Sequence, residues 1–193
     1  MLTPGHAQAR PDTGLPSLNA FIATLENGDA NTLRGVYVPE IFASQVVQQP
    51  AGKAAYVSSA ENTLTQFELA SQFESTGLLA HNRLAGKTFF LLVPGQKFYL
   101  VYGNGRTAAF VVTQTIRYRA LKPTSTTSNF IDLTDGRIST AAELFKKAYD
   151  RPDDVILQTC ISADGISSWG RLFVIARPYE ENHRKSTSRI TAP

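Results

Sequence analysis

The chain has 193 residues, of which 42% are hydrophobic, and a formal net charge of +3. This length and composition suffice for one buried core, so we expect a single domain. The basic excess falls well short of the charge that is typical of nucleic-acid-binding domains. A single cysteine excludes an internal disulfide, and without a Cys/His cluster the sequence predicts no metal site.

The two ends of the chain differ in composition from the rest. Residues 1–14 are rich in Pro, Gly and Gln, and residues 179–193 are polar and basic, so we predict disordered segments around one domain at residues 15–178. No apolar run approaches the roughly 18–20 residues of a membrane-spanning helix. The first residues do not form a signal peptide. His6 and His183 lie in these tails, so His81 is the candidate histidine within the domain.

The first half of the domain is predicted to contain one capped helix and several short strands. Ser17 can cap a helix that places Phe21 and Leu25 on one face. An apolar residue recurs at every third position from Leu64 to Phe73, which favours a helix over Glu61–Phe73. The predicted strands of this half are Val36–Val38, Ser44–Gln49, a strand that begins at Tyr56-Val57, and Gly77–Ala80, which leads into His81.

The second half is predicted to begin with strands and a hairpin. A turn at Pro94-Gly95 joins strands Phe89–Val93 and Phe98–Tyr102, and Asn104-Gly105 is a strong hairpin signal. In the next strand, alternation predicts that one set of side chains faces the core and the other faces solvent. The predicted core set is Phe110, Val112, Ile116 and Tyr118. After a Ser/Thr-rich loop at residues 122–129, the capping-box spacing of Thr140 and Glu143 opens another helix.

The stretch from Asp154 to Ala176 is predicted to be a pair of strands separated by a Gly/Ser/Asp-rich loop. The strands are Val155–Thr159 and Leu172–Ala176. Cys160 ends the first strand and Arg171 opens the second. Since the end of one antiparallel strand lies opposite the start of the next, we expect the thiol and the guanidinium to meet at one rim of a sheet. Many short strands, few helices and no βαβ rhythm indicate a closed or nearly closed β-barrel.

These residues also carry a family resemblance. The sequence Ile156-Leu157-Gln158-Thr159-Cys160 resembles the Thr-Leu-x-Thr-Cys strand end of sortases, the bacterial cysteine transpeptidases that cut and join cell-wall sorting signals. Arg171 stands where that family places its arginine, and His81, followed by Gly86-Lys87-Thr88-Phe89, fits its histidine. The resemblance extends in consistent order from Val36 to Ala176. It implies a mainly β fold, a closed eight-stranded barrel with a few short peripheral helices.

The resemblance also implies the chemistry. Cys160 would be the nucleophile that forms a thioacyl-enzyme. His81 would be the general acid and base for the departing and incoming amines. Arg171 would stabilise the oxyanion or hold substrate carbonyls. We predict substrate-binding roles for Ile156, where the family usually carries threonine, for Trp169 and for Thr159, whose hydroxyl would orient either the substrate or the backbone. No cofactor is expected.

The expected partners are the sorting-signal peptide of a surface protein and an amine acceptor from a cell-wall cross-bridge or a pilin. Nucleic acid is not expected as a partner. The family's usual location is outside the cytoplasmic membrane, with membrane contact only through an anchor that this chain lacks. Two alternatives stay open at this point: a cysteine peptidase that uses water as acceptor, and a catalytically silent peptide-binding barrel.

Overall fold

The computed structural model describes residues 14–125 and 127–180. The predicted disordered segments and the histidines in them lie outside these ranges, apart from Gly14, Tyr179 and Glu180. Within the described residues the chain forms two α-helices, ten β-strands and two 3-10 helices. In chain order these elements are α1 (Leu18–Leu25), β1 (Leu33–Val38), β2 (Phe42–Gln48), β3 (Thr63–Phe67), a 3-10 helix (Glu68–Phe73), β4 (Thr76–Leu79), a second 3-10 helix (Ala85–Leu91), β5 (Lys97–Tyr102), β6 (Thr107–Ala120), β7 (Phe130–Asp132), β8 (Ile138–Ser139), α2 (Ala141–Tyr149), β9 (Val155–Ala163) and β10 (Ile166–Pro178).

Eight of the strands close into a barrel, as predicted. The order of neighbouring strands is β10-β9-β4-β3-β2-β1-β5-β6, and β6 pairs back to β10. Strands β7 and β8 continue the sheet beyond β6 and stay outside the ring. The pairings β2–β3 and β4–β9 are parallel, and the other pairings are antiparallel. Closure leaves no free edge in the ring, which removes a common route to edge-to-edge aggregation.

Residues 155–157 of β9 and 172–176 of β10 are buried on both faces of the sheet. Val155, Leu157 and Val174 point into the barrel, where they join the main hydrophobic core. The alternate residues Ile156 and Phe173 point outward and are covered by helix α2 in a second core. Burial on two faces explains why these strands read as continuous apolar runs and not as alternating ones.

Both predicted helix starts are confirmed. The Ser17 hydroxyl accepts a hydrogen bond from the Ala20 backbone N–H at 3.2 Å and caps α1. In α2 the Thr140 side chain accepts from the Glu143 N–H, while the Glu143 carboxylate accepts from the Thr140 N–H, which is a complete capping box. Helix α1 packs on β1 and β5, and α2 packs on β9 and β10.

Three predicted elements are wrong. The segment predicted as a helix over Glu61–Phe73 is strand β3 followed by a 3-10 helix, and the three-residue apolar repeat matches the period of the latter. The segment predicted as a strand over Phe89–Val93 lies mostly in the second 3-10 helix, where Phe89 is fully buried and Leu91 is exposed. Tyr56-Val57 is not a strand.

The prediction of one core-facing set of side chains along β6 is also wrong. Val112 pairs with Ala176 and Gln114 pairs with Ile175, so Thr113 is an extra residue without a partner on β10. This β-bulge switches the face of the strand. Val112 therefore joins the core inside the barrel, whereas Tyr118 joins the core under α2.

Candidate active site

Strands β9 and β10 form a hairpin that is longer than predicted. Most of the expected loop is strand, and the turn is limited to Asp164 and Gly165, both of which have positive φ angles (52° and 75°). Two consecutive residues with positive φ make a tight turn that matches the right-handed twist of the flanking strands. The long hairpin provides a continuous wall on which the candidate site lies.

Cys160 on β9 lies directly opposite Arg171 on β10 in the register of this hairpin. Cys160 is a partly buried free thiol. Both side chains line the same open groove, so the structure brings these two candidate residues together. We call this space, between the outer face of the hairpin, helix α2 and the β2–β3 connection, the groove.

The guanidinium of Arg171 is held by its own strand. Its Nη1 donates hydrogen bonds to the carbonyl oxygens of Ser168 (3.1 Å) and Gly170 (2.9 Å), which are available because the β9–β10 register is irregular between residues 166 and 170. The Ser168 hydroxyl in turn donates to the Pro123 carbonyl at 3.0 Å. Among the described residues Arg171 forms no salt bridge. Its positive charge is therefore available to an anion that forms beside Cys160.

His81 follows β4, on the opposite side of β9 from Arg171. Leu79 pairs with Gln158, and the Ala80 N–H continues the ladder to the Gln158 carbonyl. Two residues further along each of these parallel strands, His81 is level with Cys160. The imidazole is exposed and lines a neighbouring depression, together with Asn82, Arg83, Leu84 and Ser167. His81 is not among the side chains that line the groove.

Of the two roles predicted for Thr159, the structure supports orientation of the backbone. Its side chain is 2% exposed, and its hydroxyl donates a 2.8 Å hydrogen bond to the Ala80 carbonyl oxygen. Gly86 packs against this pair so closely that a Cβ at that position would clash with the Thr159 hydroxyl and the His81 carbonyl. Thr159 therefore holds the backbone beside His81.

The other two predicted substrate-binding residues do not line the groove either. Ile156 is fully buried under α2, where it cannot contact a substrate, so this prediction is wrong. Trp169 is half-buried in the irregular part of β10 and is not among the groove-lining side chains. Ile156 was expected at the surface because its alternation partner Cys160 is, but α2 covers only the start of β9.

The groove has a volume of about 430 Å³ and is mostly apolar. Helix α2 forms one wall with Leu144, Phe145 and Tyr149. A second wall comes from residues 54–57, which form no regular element. Sequence reasoning missed both walls, because which helix face and which loop meet at β9 depends on the closure of the barrel.

One polar pair lies in this apolar groove. The Tyr149 hydroxyl donates a 2.6 Å hydrogen bond to Oε1 of Gln158. Burial raises the pKa of Tyr149, so the phenol keeps the proton that it donates. Gln158 is two residues before Cys160 on the same face of β9 and follows the apolar residues 155–157. A polar side chain directly after this apolar run was the sequence signal for it.

The described residues contain no group of three or more His, Cys, Asp or Glu side chains placed to hold a metal ion. None of the helices formed by residues 14–125 and 127–180 has the length and apolar character needed to cross a bilayer.

Comparison with known proteins adds to this geometry. No protein-family model matches the sequence, and neither does any curated protein. Among solved structures, sortase A from Corynebacterium diphtheriae matches with 12% identity and a TM-score of 0.50, over 81% of this chain and 64% of that one. Its lid mutant matches with 13% identity and a TM-score of 0.50, over 79% and 73% of the two chains. Sortase C1 from Streptococcus agalactiae, as a lid mutant, shares 19% identity over 87% and 86%, with a TM-score of 0.48. At these identities the likeness concerns the fold, and the chain has a sortase-like fold: a closed eight-stranded β-barrel with a few short helices around it.

Proposed function

We propose that the protein is a sortase-like cysteine transpeptidase. The observation that carries the proposal is the position of Cys160 directly opposite Arg171, with both side chains lining one groove. A thiol can serve as the nucleophile of acyl transfer through a thioester, and a fixed cation beside it can stabilise the charge that forms on the carbonyl oxygen. The sortase-like fold and the motif that ends at Cys160 support the same reading.

In the proposed reaction, the Cys160 thiol loses its proton to His81, and the sulfur attacks the carbonyl carbon of a peptide bond in a sorting signal. The carbonyl oxygen becomes an oxyanion, and its collapse breaks the C–N bond to give a thioester on Cys160. His81 passes the proton to the departing amine. An incoming amine then attacks the thioester and loses a proton to His81, the C–S bond breaks as the new amide forms, and His81 returns the proton to the Cys160 sulfur. Positioned proton transfer of this kind contributes roughly 10²–10⁴-fold to a rate.

Arg171 is assigned to the oxyanion. Nη1 is already occupied by two backbone carbonyls, whereas Nε and Nη2 have no hydrogen-bond partner among the described residues. A planar guanidinium that is anchored at one nitrogen presents its remaining donors in a fixed direction. That preorganisation is what makes a donor effective when charge develops in the transition state.

His81 lies level with Cys160 but lines the depression next to the groove. A rotation of the exposed His81 side chain would bring its ring towards the amine of a bound substrate. Catalytic hydrogen bonds are often long before the substrate binds, so this arrangement is compatible with the proposed role.

The partners belong to the proposal as well. The acyl donor would be a sorting-signal peptide of a surface protein, and the acceptor would be an amine of a cell-wall cross-bridge or a pilin. The reaction would take place at the cell surface, outside the cytoplasmic membrane.

Intact-mass analysis tests the proposal. The protein is incubated with a library of sorting-signal peptides, with and without an added amine, alongside Cys160→Ala and Cys160→Ser. We expect an acyl adduct on the wild-type protein alone and its conversion by the amine to a ligated product. An adduct that is released only to water would indicate a cysteine peptidase. Folded wild-type protein that forms no adduct across a broad library would indicate a peptide-binding barrel.

A further inference from the structure

Given the proposed function, on which this inference rests, the groove and the depression beside it would hold different parts of the substrate. Cys160 and Arg171, which would handle the acyl carbonyl, line the groove. His81, which would protonate the departing amine, lines the neighbouring depression. The acyl part of the substrate therefore occupies the groove, and the departing part leaves on the side of His81.

The side chains that line the groove along β9 differ in polarity. Its walls are apolar, with aromatic and aliphatic side chains such as Phe67, Leu144 and Phe145. Gln158 is a polar residue among them, and its Oε1 accepts a 2.6 Å hydrogen bond from the Tyr149 hydroxyl. Because Tyr149 is 1% exposed and fixed in α2, this bond sets the orientation of the amide. The Gln158 Nε2 has no hydrogen-bond partner within residues 14–125 and 127–180, which leaves a pair of oriented N–H donors at the groove.

We propose that Gln158 is a specificity-determining residue, which binds a carbonyl-type oxygen of the acyl segment through Nε2 while the apolar walls hold the neighbouring substrate side chains. Gln158 and Cys160 are two residues apart on one strand, or roughly 6.6 Å at the usual strand rise. An extended substrate advances by about the same rise per residue. The bound oxygen therefore belongs to the residue two positions before the one that carries the scissile carbonyl. Tyr149 is the positioning residue for the amide.

Two sources of the oxygen are chemically equivalent at Nε2. One is the main-chain carbonyl, and the other is a side-chain oxygen, as in Asn, Gln, Ser or Thr. The bond between Gln158 and Tyr149 also connects β9 to α2. The experiment has to separate recognition from this connection.

The test measures acyl-transfer kinetics with a peptide series that varies the residue two positions before the scissile one. Gln158→Met keeps the size of the side chain and removes the donors and the acceptor. Gln158→Glu keeps an acceptor for Tyr149 and removes the donors, and Tyr149→Phe keeps the donors and removes the connection. Gln96→Met, at a half-buried glutamine that directly precedes β5 and does not line the groove, is the matched control. Alkylation of Cys160 by a small thiol reagent checks that the nucleophile is intact.

We expect Gln158→Met and Gln158→Glu each to raise KM for the acyl donor by about three- to tenfold, the value of one hydrogen bond, with a smaller change in kcat. If the oxygen is a side-chain group, wild-type selectivity at that peptide position disappears in Gln158→Met. If it is the main-chain carbonyl, KM rises equally for all peptides. Because Tyr149 positions the amide, Tyr149→Phe should also raise KM. The proposal is overturned if Gln158→Glu leaves KM unchanged, since that result assigns the residue to the connection with α2. A wild-type protein that transfers no acyl group at all would refute the proposed function itself, which is a different result.

Discussion

The hydroxyl of Thr159 donates a 2.8 Å hydrogen bond to the carbonyl oxygen of Ala80, and these two residues directly precede Cys160 and His81. The bond is buried and joins segments that are 79 positions apart in the chain. On the next residue, the His81 carbonyl accepts from the N–H groups of Leu84 and Gly86. The buried hydrogen bond thus holds the backbone that precedes His81 against the strand that carries Cys160.

Thr159→Val tests this connection. Valine keeps the shape of the side chain but leaves the buried Ala80 carbonyl without its donor, so we expect a loss of about 1–3 kcal/mol in the free energy of unfolding. We also expect a lower kcat, because the backbone before His81 loses the hydrogen bond that holds it to β9. Urea unfolding and acyl-transfer kinetics measure the two effects. Thr159→Ser should restore both, and Thr107→Val, at an exposed strand position, should change neither. A stable, fully active Thr159→Val would contradict the role.

The sequence predicted the hairpin and the meeting of Cys160 with Arg171, because both follow from local strand pairing and from the positions of two residues at strand ends. The pattern of short strands indicated a closed or nearly closed barrel, and the family resemblance added the number of eight strands. The partner of the Thr159 hydroxyl and the burial of Ile156 were not predictable in this way. They depend on the parallel β4–β9 pairing and on the place where α2 docks, which long-range packing decides. Likewise, no local signal marked Thr113 as the bulge that switches the face of β6.

Arg171→Lys should lower kcat strongly while leaving the thiol reactive. A lysine ammonium cannot keep the backbone bonds to Ser168 and Gly170 and also direct a second set of donors to the oxyanion. Removal of one such donor typically costs about 10²–10³-fold in kcat. Acyl-transfer kinetics measure the loss, and Arg119→Lys, at an exposed position of the neighbouring strand β6, serves as the control. Near wild-type kcat in Arg171→Lys would refute its role as oxyanion donor.

The stability of the protein should fall in acid through Asp132. This side chain is buried beside Lys147, whose Nζ lies 3.1 Å from Oδ2, and Oδ1 accepts from the Thr134 N–H at 2.9 Å. Burial raises the pKa of Asp132, but the Thr134 N–H and the Lys147 ammonium outweigh it and hold the pKa below its ordinary value of 3.8. A carboxylate with a lowered folded-state pKa stabilises the fold above the unfolded-state pKa, and this contribution is lost as the pH falls through the folded value.

Asp132→Asn removes that contribution. At pH 6 we expect it to lower the free energy of unfolding by about 1–3 kcal/mol, since it breaks a pair in which one partner is buried. The difference from wild type should shrink below about pH 4, where the wild-type carboxylate also becomes protonated. Urea unfolding from pH 2.5 to 6 measures this, with Asp135→Asn, in an exposed pair with Arg137, as the control. If the difference in the free energy of unfolding between wild type and Asp132→Asn stays constant with pH, the charge of Asp132 does not contribute to stability.

Removing the N-cap of α1 or of α2 should lower stability in both cases but should affect substrate binding only for α2. Thr140 caps α2, which forms a wall of the groove, whereas Ser17 caps α1, which packs on β1 and β5 and lines no part of the groove. Thr140→Ala and Ser17→Ala should each cost about 1 kcal/mol of stability, the usual value of a lost N-cap. Only Thr140→Ala should also raise KM for the acyl donor, because it loosens the first turn of the helix that contributes Ala141 and Leu144 to the groove. Thermal unfolding and acyl-transfer kinetics on both variants, with Thr140→Ser as the conservative replacement, measure these effects. Equal KM values for the two alanine variants would mean that α2 does not contact the bound acyl segment, and the groove would then have to be assigned a different occupant.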